Sequence, residues 1–176
     1  QTINNLGVSG GSEAVKYYVN LGYTSQQGSY NEEAGNVYKT NAALNRYSFR
    51  SNVDIKVAKN VDLSLGLSAI ISGTNYPAYD ADGVLFYLKL TNPMVMPFKN
   101  PDGSNSGATG DLIINPWTRI TKSGYTRQSY NTTISNLGLK WNLSSITPGL
   151  SVRGLASFDV VDITQNVRTQ SPDAFR

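Results

Sequence analysis

The chain contains no cysteine and no histidine among its 176 residues. Without cysteine there is no disulfide framework, no thiolate metal site and no cysteine nucleophile. Without histidine, the commonest general base and the commonest transition-metal ligand are both missing. These absences argue against most familiar hydrolase and metalloenzyme designs. We therefore expect no catalytic site, no metal site and no cofactor.

Charge and long hydrophobic runs are also scarce. Charged residues make up 15% of the chain, below the ~25% typical of soluble globular domains. The basic residues are spread along the sequence, so we expect no nucleic-acid partner. No stretch approaches the ~20 apolar residues of a membrane-spanning helix. The 11 tyrosines and the many small polar residues favour strands over helical bundles.

Alternation of apolar and polar residues with a period of two is the dominant pattern. In residues 46–57, Tyr47, Phe49, Val53 and Ile55 alternate with residues that are mostly polar or charged. A helix would mix the two sets around its circumference, so the pattern predicts a strand. Similar runs occupy residues 3–9, 15–24, 61–72, about 129–143 and 150 to about 163. The sequence therefore predicts about six antiparallel amphipathic strands and an all-β fold.

The lengths of the strands and connections favour a membrane barrel. Five runs reach ten residues or more, whereas sandwich strands usually have ~5–6 and tilted membrane strands ~9–11. Short connections (10–13, 58–60, 144–149) alternate with long ones (25–45, 73–128), as in transmembrane β-barrels with short turns at one rim. The alternative is a secreted β-sandwich that acts as a carbohydrate-binding module, with its apolar face against a second sheet.

The second long connection shows local structure of its own. Residues 81–90 lack the period-two pattern and predict a short helix that ends before Asn92-Pro93. Residues 100–103 (NPDG) are a strong turn signal, and Asn115-Pro116 predicts another turn. In a barrel this connection would be a long extracellular loop.

Several ordered motifs resemble a known family. Residues 9–18 (SGGSEAVKYY), Leu21-Gly22-Tyr23 and Gln27-Gly28 are similar to the first barrel segment of SusC/RagA-type TonB-dependent transporters. Residues 46–54 (RYSFRSNVD) are similar to the next strand of that family. The match continues in order through later segments: residues 100–103, 115–116, 124–125, 141–143, 149–154 and 157–159.

The resemblance implies a plugged barrel of about 22 strands in the outer membrane of Bacteroidetes-type bacteria. Such transporters pair with a SusD-type surface lipoprotein and import glycans, peptides or other nutrients with energy supplied through TonB. From the resemblance we expect the plug domain, the TonB-contacting segment and the barrel-closing strand to lie outside this sequence. We therefore expect residues 1–176 to be a partial barrel domain of a longer protein, bounded by membrane lipid.

Two groups of residues are candidate contacts. The aromatic residues of the long loop could stack on sugar rings; the alternatives are that they pack the loop onto itself or form the outer aromatic girdle. They are Tyr76, Tyr79, Phe86, Tyr87 and Trp117. The basic residues of the polar faces could line the lumen and contact the plug or a passing substrate; they are Lys16, Arg50, Lys56 and Arg153. The aspartates of the same faces (Asp54, Asp62, Asp159) have no activating neighbour in the pattern and indicate a solvated wall rather than acid–base catalysis.

Overall fold

Six strands and two short helices make up the fold. The computed structural model describes residues 1–34, 36–79, 81–94, 96–107 and 115–171. The elements follow in the order β1 (Thr2–Gly11), β2 (Val15–Gln27), β3 (Ala43–Ala58), β4 (Val61–Pro77), α1 (Ala81–Leu90), α2 (Pro116–Thr121), β5 (Gly124–Asn142) and β6 (Ser151–Thr169). All six strands form one sheet in which each strand lies beside its neighbours in the sequence.

The strands of the sheet are antiparallel. On β1 and β2, Leu6 is opposite Leu21 and Val8 is opposite Val19. Side-chain hydrogen bonds show the same direction for β4 and β5. Hydroxyl groups on β4 donate to carbonyl oxygens on β5, and the acceptor's residue number falls as the donor's rises: Ser64 to Gly138, Ser72 to Tyr130 and Thr74 to Gln128. The predicted all-β antiparallel fold with six strands and a short helix in a long loop is therefore confirmed.

The strands are longer than the sequence predicted, mainly at the ends next to the long loops. β5 begins at Gly124 rather than near 129, and β6 continues to Thr169 rather than ending near 163. These added segments are rich in polar residues, so apolar alternation does not mark them. The helix predicted at residues 81–90 has those bounds as α1.

The turn predicted at residues 100–103 is confirmed. The N–H of Gly103 donates to the carbonyl of Asn100 at 2.9 Å, and Gly103 has a φ of 83°, which glycine adopts without steric cost. The turn predicted at Asn115-Pro116 was wrong, because these residues begin α2. Asparagine at the N-cap followed by proline at the first helical position is a helix-start signal.

The chain divides into two compact units. The first comprises residues 1–25, 45–73 and 129–164, in which short turns at 12–14, 59–60 and 143–150 join successive strands. Its described residues include no buried large hydrophobic side chain; the buried hydrophobic residues, Val84 and Met96, belong to the second unit. The sheet of the first unit therefore has no hydrophobic core of its own.

The second unit comprises residues 26–44, 74–128 and 165–176. It contains both long loops and both helices, and α1 packs against α2. Val84 and Met96 are buried in it, together with polar residues: Thr40, Ser106, Asn115, Thr118, Thr121, Ser123 and Thr126. The side chains of Asn115, Thr118, Thr121 and Ser123 form hydrogen bonds within this unit, so polar contacts contribute to it beside apolar burial. Neither helix has the length and apolar character needed to span a membrane.

Candidate functional site

One face of the sheet in the first unit is apolar and uncovered. We call it the apolar face, and it carries the large hydrophobic residues that alternate along the strands. Many of them are at least 40% exposed, among them Leu6, Leu21, Tyr47, Leu65, Ile71, Leu137, Val152 and Phe158. Burying a residue such as leucine is worth about 1.5–3 kcal/mol, so a face of this kind requires an apolar environment.

Aromatic residues lie toward both ends of the apolar face. Toward the long loops, the rings of Tyr23 and Tyr47 pack with centroids 5.0 Å apart, and the Tyr23 hydroxyl donates to Asn45 Oδ1 at 3.2 Å. Toward the short turns, Trp141 is 47% exposed. An aromatic ring with a polar group is suited to the boundary between an apolar layer and water.

The height of the apolar face can be estimated along β3. Tyr47 and Val57 are ten residues apart on this strand. At ~3.3 Å per residue that is about 33 Å along the strand, or about 23–27 Å along the normal for a tilt of ~35–45°. Outer-membrane barrels present an apolar band about 25 Å tall between aromatic girdles. At such a tilt, the apolar run of β3 is as tall as this band.

The opposite, polar face holds a charged cavity of ≈ 620 Å³. Its charged lining residues on the strands come from β2 to β6: Lys16, Asp54, Lys56, Asp62, Lys140 and Arg153. The N–H of Lys56 donates to the Ala14 carbonyl at 2.7 Å, which fixes β3 beside the start of β2. Within the described ranges, no ion pair of 4 Å or less joins the side chains of these residues.

The structure brings together three of the four basic residues predicted to face a lumen. Lys16, Lys56 and Arg153 line the cavity, whereas Arg50 lies on the same face of β3 outside its lining. The sequence analysis missed Lys140, although its alternation with Leu139 and Trp141 on β5 could have identified it.

Positive charge predominates on the polar face. Counted along the strands, six basic residues share it with three carboxylates: Lys16, Arg46, Arg50, Lys56, Lys140 and Arg153 against Asp54, Asp62 and Asp159. A surface with excess charge of one sign raises the local concentration of ions of the other sign. The face therefore attracts anions.

The second unit contains a cluster of aromatic rings around one arginine. The guanidinium carbon of Arg119, on α2, lies 3.7 Å from the ring centroid of Tyr79 and 5.0 Å from that of Tyr87. Phe86 packs edge-on against Tyr87, with centroids 5.5 Å apart. Tyr79 and Phe86 nevertheless remain 39% and 57% exposed. We call these four residues the Arg119 cluster.

The five aromatic residues predicted as ligand contacts do not form one continuous platform. Tyr79, Phe86 and Tyr87 belong to the Arg119 cluster. Trp117 packs on Phe98 with centroids 5.5 Å apart, and Tyr76 is a half-exposed residue near the end of β4. Arg119 was not predicted as a site residue from the sequence. It lies on α2, a helix that was not predicted, and the alternation of apolar and polar residues does not indicate that this helix lies beside Tyr79 and Tyr87.

Buried Asn115 holds α2 in place. Its Oδ1 accepts from the N–H of Trp117 at 2.9 Å and caps the helix. Its Nδ2 donates to the carbonyls of Phe98 at 2.9 Å and Ser106 at 3.0 Å. One side chain thus positions the helix that carries Arg119 and joins it to two other segments of the unit.

The carboxylate of Glu33 forms ion pairs that connect its own segment to the segments of Lys99 and Lys122 in the second unit. Lys99 Nζ lies 2.7 Å and Lys122 Nζ 3.4 Å from Glu33 Oε1. Burial by itself would raise the pKa of this carboxyl, but the hydrogen bonds and charges of the two lysines outweigh burial and hold the pKa below its ordinary value. Glu33 is therefore ionised at neutral pH and is already paired.

Comparison with known proteins agrees with the outer-membrane interpretation at a coarse level. No family model matches the chain. Over 115 residues it is 28% identical to TonB-dependent receptor P26 of Formosa agariphila, and the match covers 64% of this chain and 10% of the receptor. The chain is therefore similar to a small part of a TonB-dependent receptor.

Proposed function

We propose that the chain forms part of the barrel wall of an outer-membrane TonB-dependent importer of nutrients. The uncovered apolar face carries the proposal, because its aromatic boundaries and its height of about 23–27 Å match the lipid-facing band of such barrels. The similarity to a TonB-dependent receptor supports the same assignment.

The two faces of the sheet take different roles in this proposal. The apolar face contacts lipid hydrocarbon. The polar face lines the lumen, where Lys16, Lys56, Lys140 and Arg153 meet either a plug or the passing nutrient. Each of the six strands pairs with its neighbours, and closure of the sheet by further strands satisfies the remaining backbone groups in the bilayer.

The finer assignment to the SusC/RagA type rests on the ordered motifs of the sequence. Under that assignment the importer takes up glycans or peptides, pairs with a SusD-type surface lipoprotein and receives energy from TonB through a segment outside this chain. The lipoprotein would meet the rim that carries the long loops, since those loops are extracellular in such barrels.

The alternative of a secreted carbohydrate-binding sandwich has less support. A sandwich buries its apolar face against a second sheet about 10 Å away. The described residues form a single six-stranded sheet, and its large apolar residues are exposed. Nothing within the described part of the chain covers them.

The experiment that tests the proposal follows the full-length protein in a Bacteroidetes-type host. We expect it in the outer-membrane fraction, migrating faster on SDS gels when unheated, as closed barrels do. We also expect nutrient uptake through it to stop when TonB is removed. Recovery in the soluble secreted fraction, or uptake that persists without TonB, would contradict the proposal.

A further inference from the structure

We propose that the Arg119 cluster binds an oxyanion, the carboxylate or sulfate group of an acidic oligosaccharide. The proposal rests on the function proposed above and narrows the cargo from glycans or peptides in general to anionic glycans. Arg119 supplies the charge, and the exposed rings beside it supply a surface for the sugar.

The charge of Arg119 is unpaired among the described residues. In the part of the chain that the structure describes, no carboxylate lies within 4 Å of its guanidinium; the ion pairs formed by Glu33 go to Lys99 and Lys122 instead. The Nε of Arg119 is buried and has no hydrogen-bond partner. A partly buried guanidinium normally has an anionic or hydrogen-bonding partner, and no carboxylate of the described residues supplies one here.

The guanidinium of Arg119 lies beside two tyrosine rings. Its central carbon lies over the rings of Tyr79 and Tyr87, 3.7 and 5.0 Å from their centroids, and rings in this position leave the N–H edge of an arginine for hydrogen bonds. That edge matches the two oxygens of a carboxylate or sulfate in a bidentate arrangement. Because the rings and the Asn115-capped helix already restrict the side chain, binding orders it little further.

Exposed aromatic rings lie next to the charge of Arg119. Tyr79 is 39% exposed and Phe86 is 57% exposed, and Phe86 contacts Tyr87 within the cluster. Exposed rings are flat apolar surfaces on which the C–H face of a sugar can pack. A charge beside exposed rings fits an acidic sugar better than a bare anion or a neutral sugar.

The polar face of the first unit supports the same cargo independently. Along its strands six basic residues outnumber three carboxylates. The cavity on this face is lined by four of the basic residues and by three carboxylates, Glu13, Asp54 and Asp62, so its excess of positive charge is small. The strands of the first unit therefore carry an excess of positive charge, which favours anions.

The test is calorimetric titration of the purified full-length protein in detergent. The probes are tetragalacturonate, a sulfated galactan tetrasaccharide and neutral galactotetraose. We expect one or both acidic probes to bind roughly tenfold or more tightly than the neutral one, and we expect this preference to weaken as salt rises. The two acidic probes show whether the oxyanion is a carboxylate or a sulfate.

Substitutions test whether Arg119 is responsible for the preference for acidic probes. Arg119→Gln should weaken acidic binding roughly tenfold or more, and Arg119→Lys should weaken it less, because lysine keeps the charge but loses the planar fork. Arg127→Gln is the matched control: Arg127 also lies over a tyrosine ring, 4.6 Å from the centroid of Tyr125, but its Nε donates to Asn75 Oδ1. We expect this control to bind like the unmodified protein.

Several results would overturn the inference: equal binding of neutral and acidic probes, no binding of either acidic probe, unchanged binding by Arg119→Gln, or an equal loss in Arg127→Gln. Tighter binding of tetraglutamate than of both acidic saccharides would also overturn it. The comparison of probes on the unmodified protein does not depend on any variant folding. If outer-membrane location and TonB-dependent uptake hold while acidic binding fails, only this inference is lost.

Discussion

At the scale of single residues, the second unit depends on polar side chains that make several contacts each. Asn115 is 3% exposed and makes three hydrogen bonds through its side chain, one to a helix N–H and two to carbonyls in other segments. Removing such a group leaves its buried partners without replacements. The stability of the unit is therefore concentrated at a few positions.

We predict that Asn115→Ala loosens α2. The lost cap costs about 1 kcal/mol, and the buried carbonyls of Phe98 and Ser106 lose their donor at a further cost of about 1–3 kcal/mol. Amide exchange measured by mass spectrometry should become about tenfold faster or more in residues 117–121. Peptides from residues 1–25 serve as the control. Asn115→Asp keeps the cap but cannot donate to the two carbonyls, so exchange in α2 should rise in this variant as well. Unchanged exchange in α2 would contradict the role assigned to Asn115.

We predict that Glu33→Gln weakens the contact between the loop at residues 28–42 and the segments that carry Lys99 and Lys122. A partly exposed ion pair is worth up to about 1 kcal/mol, so exchange in this loop should rise by up to about fivefold at pH 7. Glu13→Gln removes the same charge from a short turn and should leave the loop unchanged.

The pH dependence of this contact follows from the lowered pKa of Glu33. A carboxyl with a lowered pKa in the folded state stabilises the fold fully above the pKa of the unfolded chain, and this stabilisation is lost as pH falls through the lower folded value. Protection of the loop should therefore decrease on acidification below the ordinary glutamate range. Glu33→Gln should lack this step. A step of equal size in the variant would assign the pH dependence to another group.

At the scale of strands and helices, one strand serves two environments. On β4, Leu65 lies on the apolar face and is 42% exposed, whereas Ser64 lies on the polar face and lines the charged cavity. Adjacent residues of a strand point to opposite faces. The two positions therefore allow a comparison at nearly the same depth.

We predict opposite tolerance to arginine at these two positions. In the full-length barrel, Leu65→Arg should lower the free energy of unfolding by about 2–4 kcal/mol, because it places a charge near the bilayer midplane. Ser64→Arg, beside Asp54 and Asp62 in the cavity lining, should change it much less. Urea unfolding in lipid vesicles measures both. A larger loss for Ser64→Arg would reverse the assignment of the two faces.

The strands could be predicted from the sequence because alternation is a local property. Tyr47, Phe49, Val53 and Ile55 reveal β3 without any knowledge of its neighbours, and the lack of alternation revealed α1. The start of β5 and the end of β6 could not be predicted. Their residues are mostly polar, so hydrogen bonds to neighbouring strands define these ends and the apolar alternation does not. The Arg119 cluster could not be predicted either, since it joins residues about 30–40 positions apart through loops without a repeating pattern.

At the scale of the whole molecule, the six strands among the described residues form an open sheet, and the part of it in the first unit has no buried large hydrophobic side chain. The described strands end in an edge at β1 and an edge at β6, and β6 is exposed along all of its 19 residues. Open edges pair with other chains, and an uncovered apolar face adds a second route to association. These properties suit a segment that folds together with more strands and a lipid environment.

We therefore predict that residues 1–176, produced by themselves, do not form a monodisperse monomer in detergent-free buffer. Size-exclusion chromatography with light scattering should show large assemblies, because β1 and β6 can pair between copies and the apolar faces can pack together. Detergent micelles should reduce their size by covering the apolar face while leaving the edges free. The control is a version in which Leu65, Leu67 and Leu139 are changed to serine, which should be more soluble. A stable soluble monomer of the unmodified chain would instead favour the sandwich, since only a covered apolar face could keep it in solution.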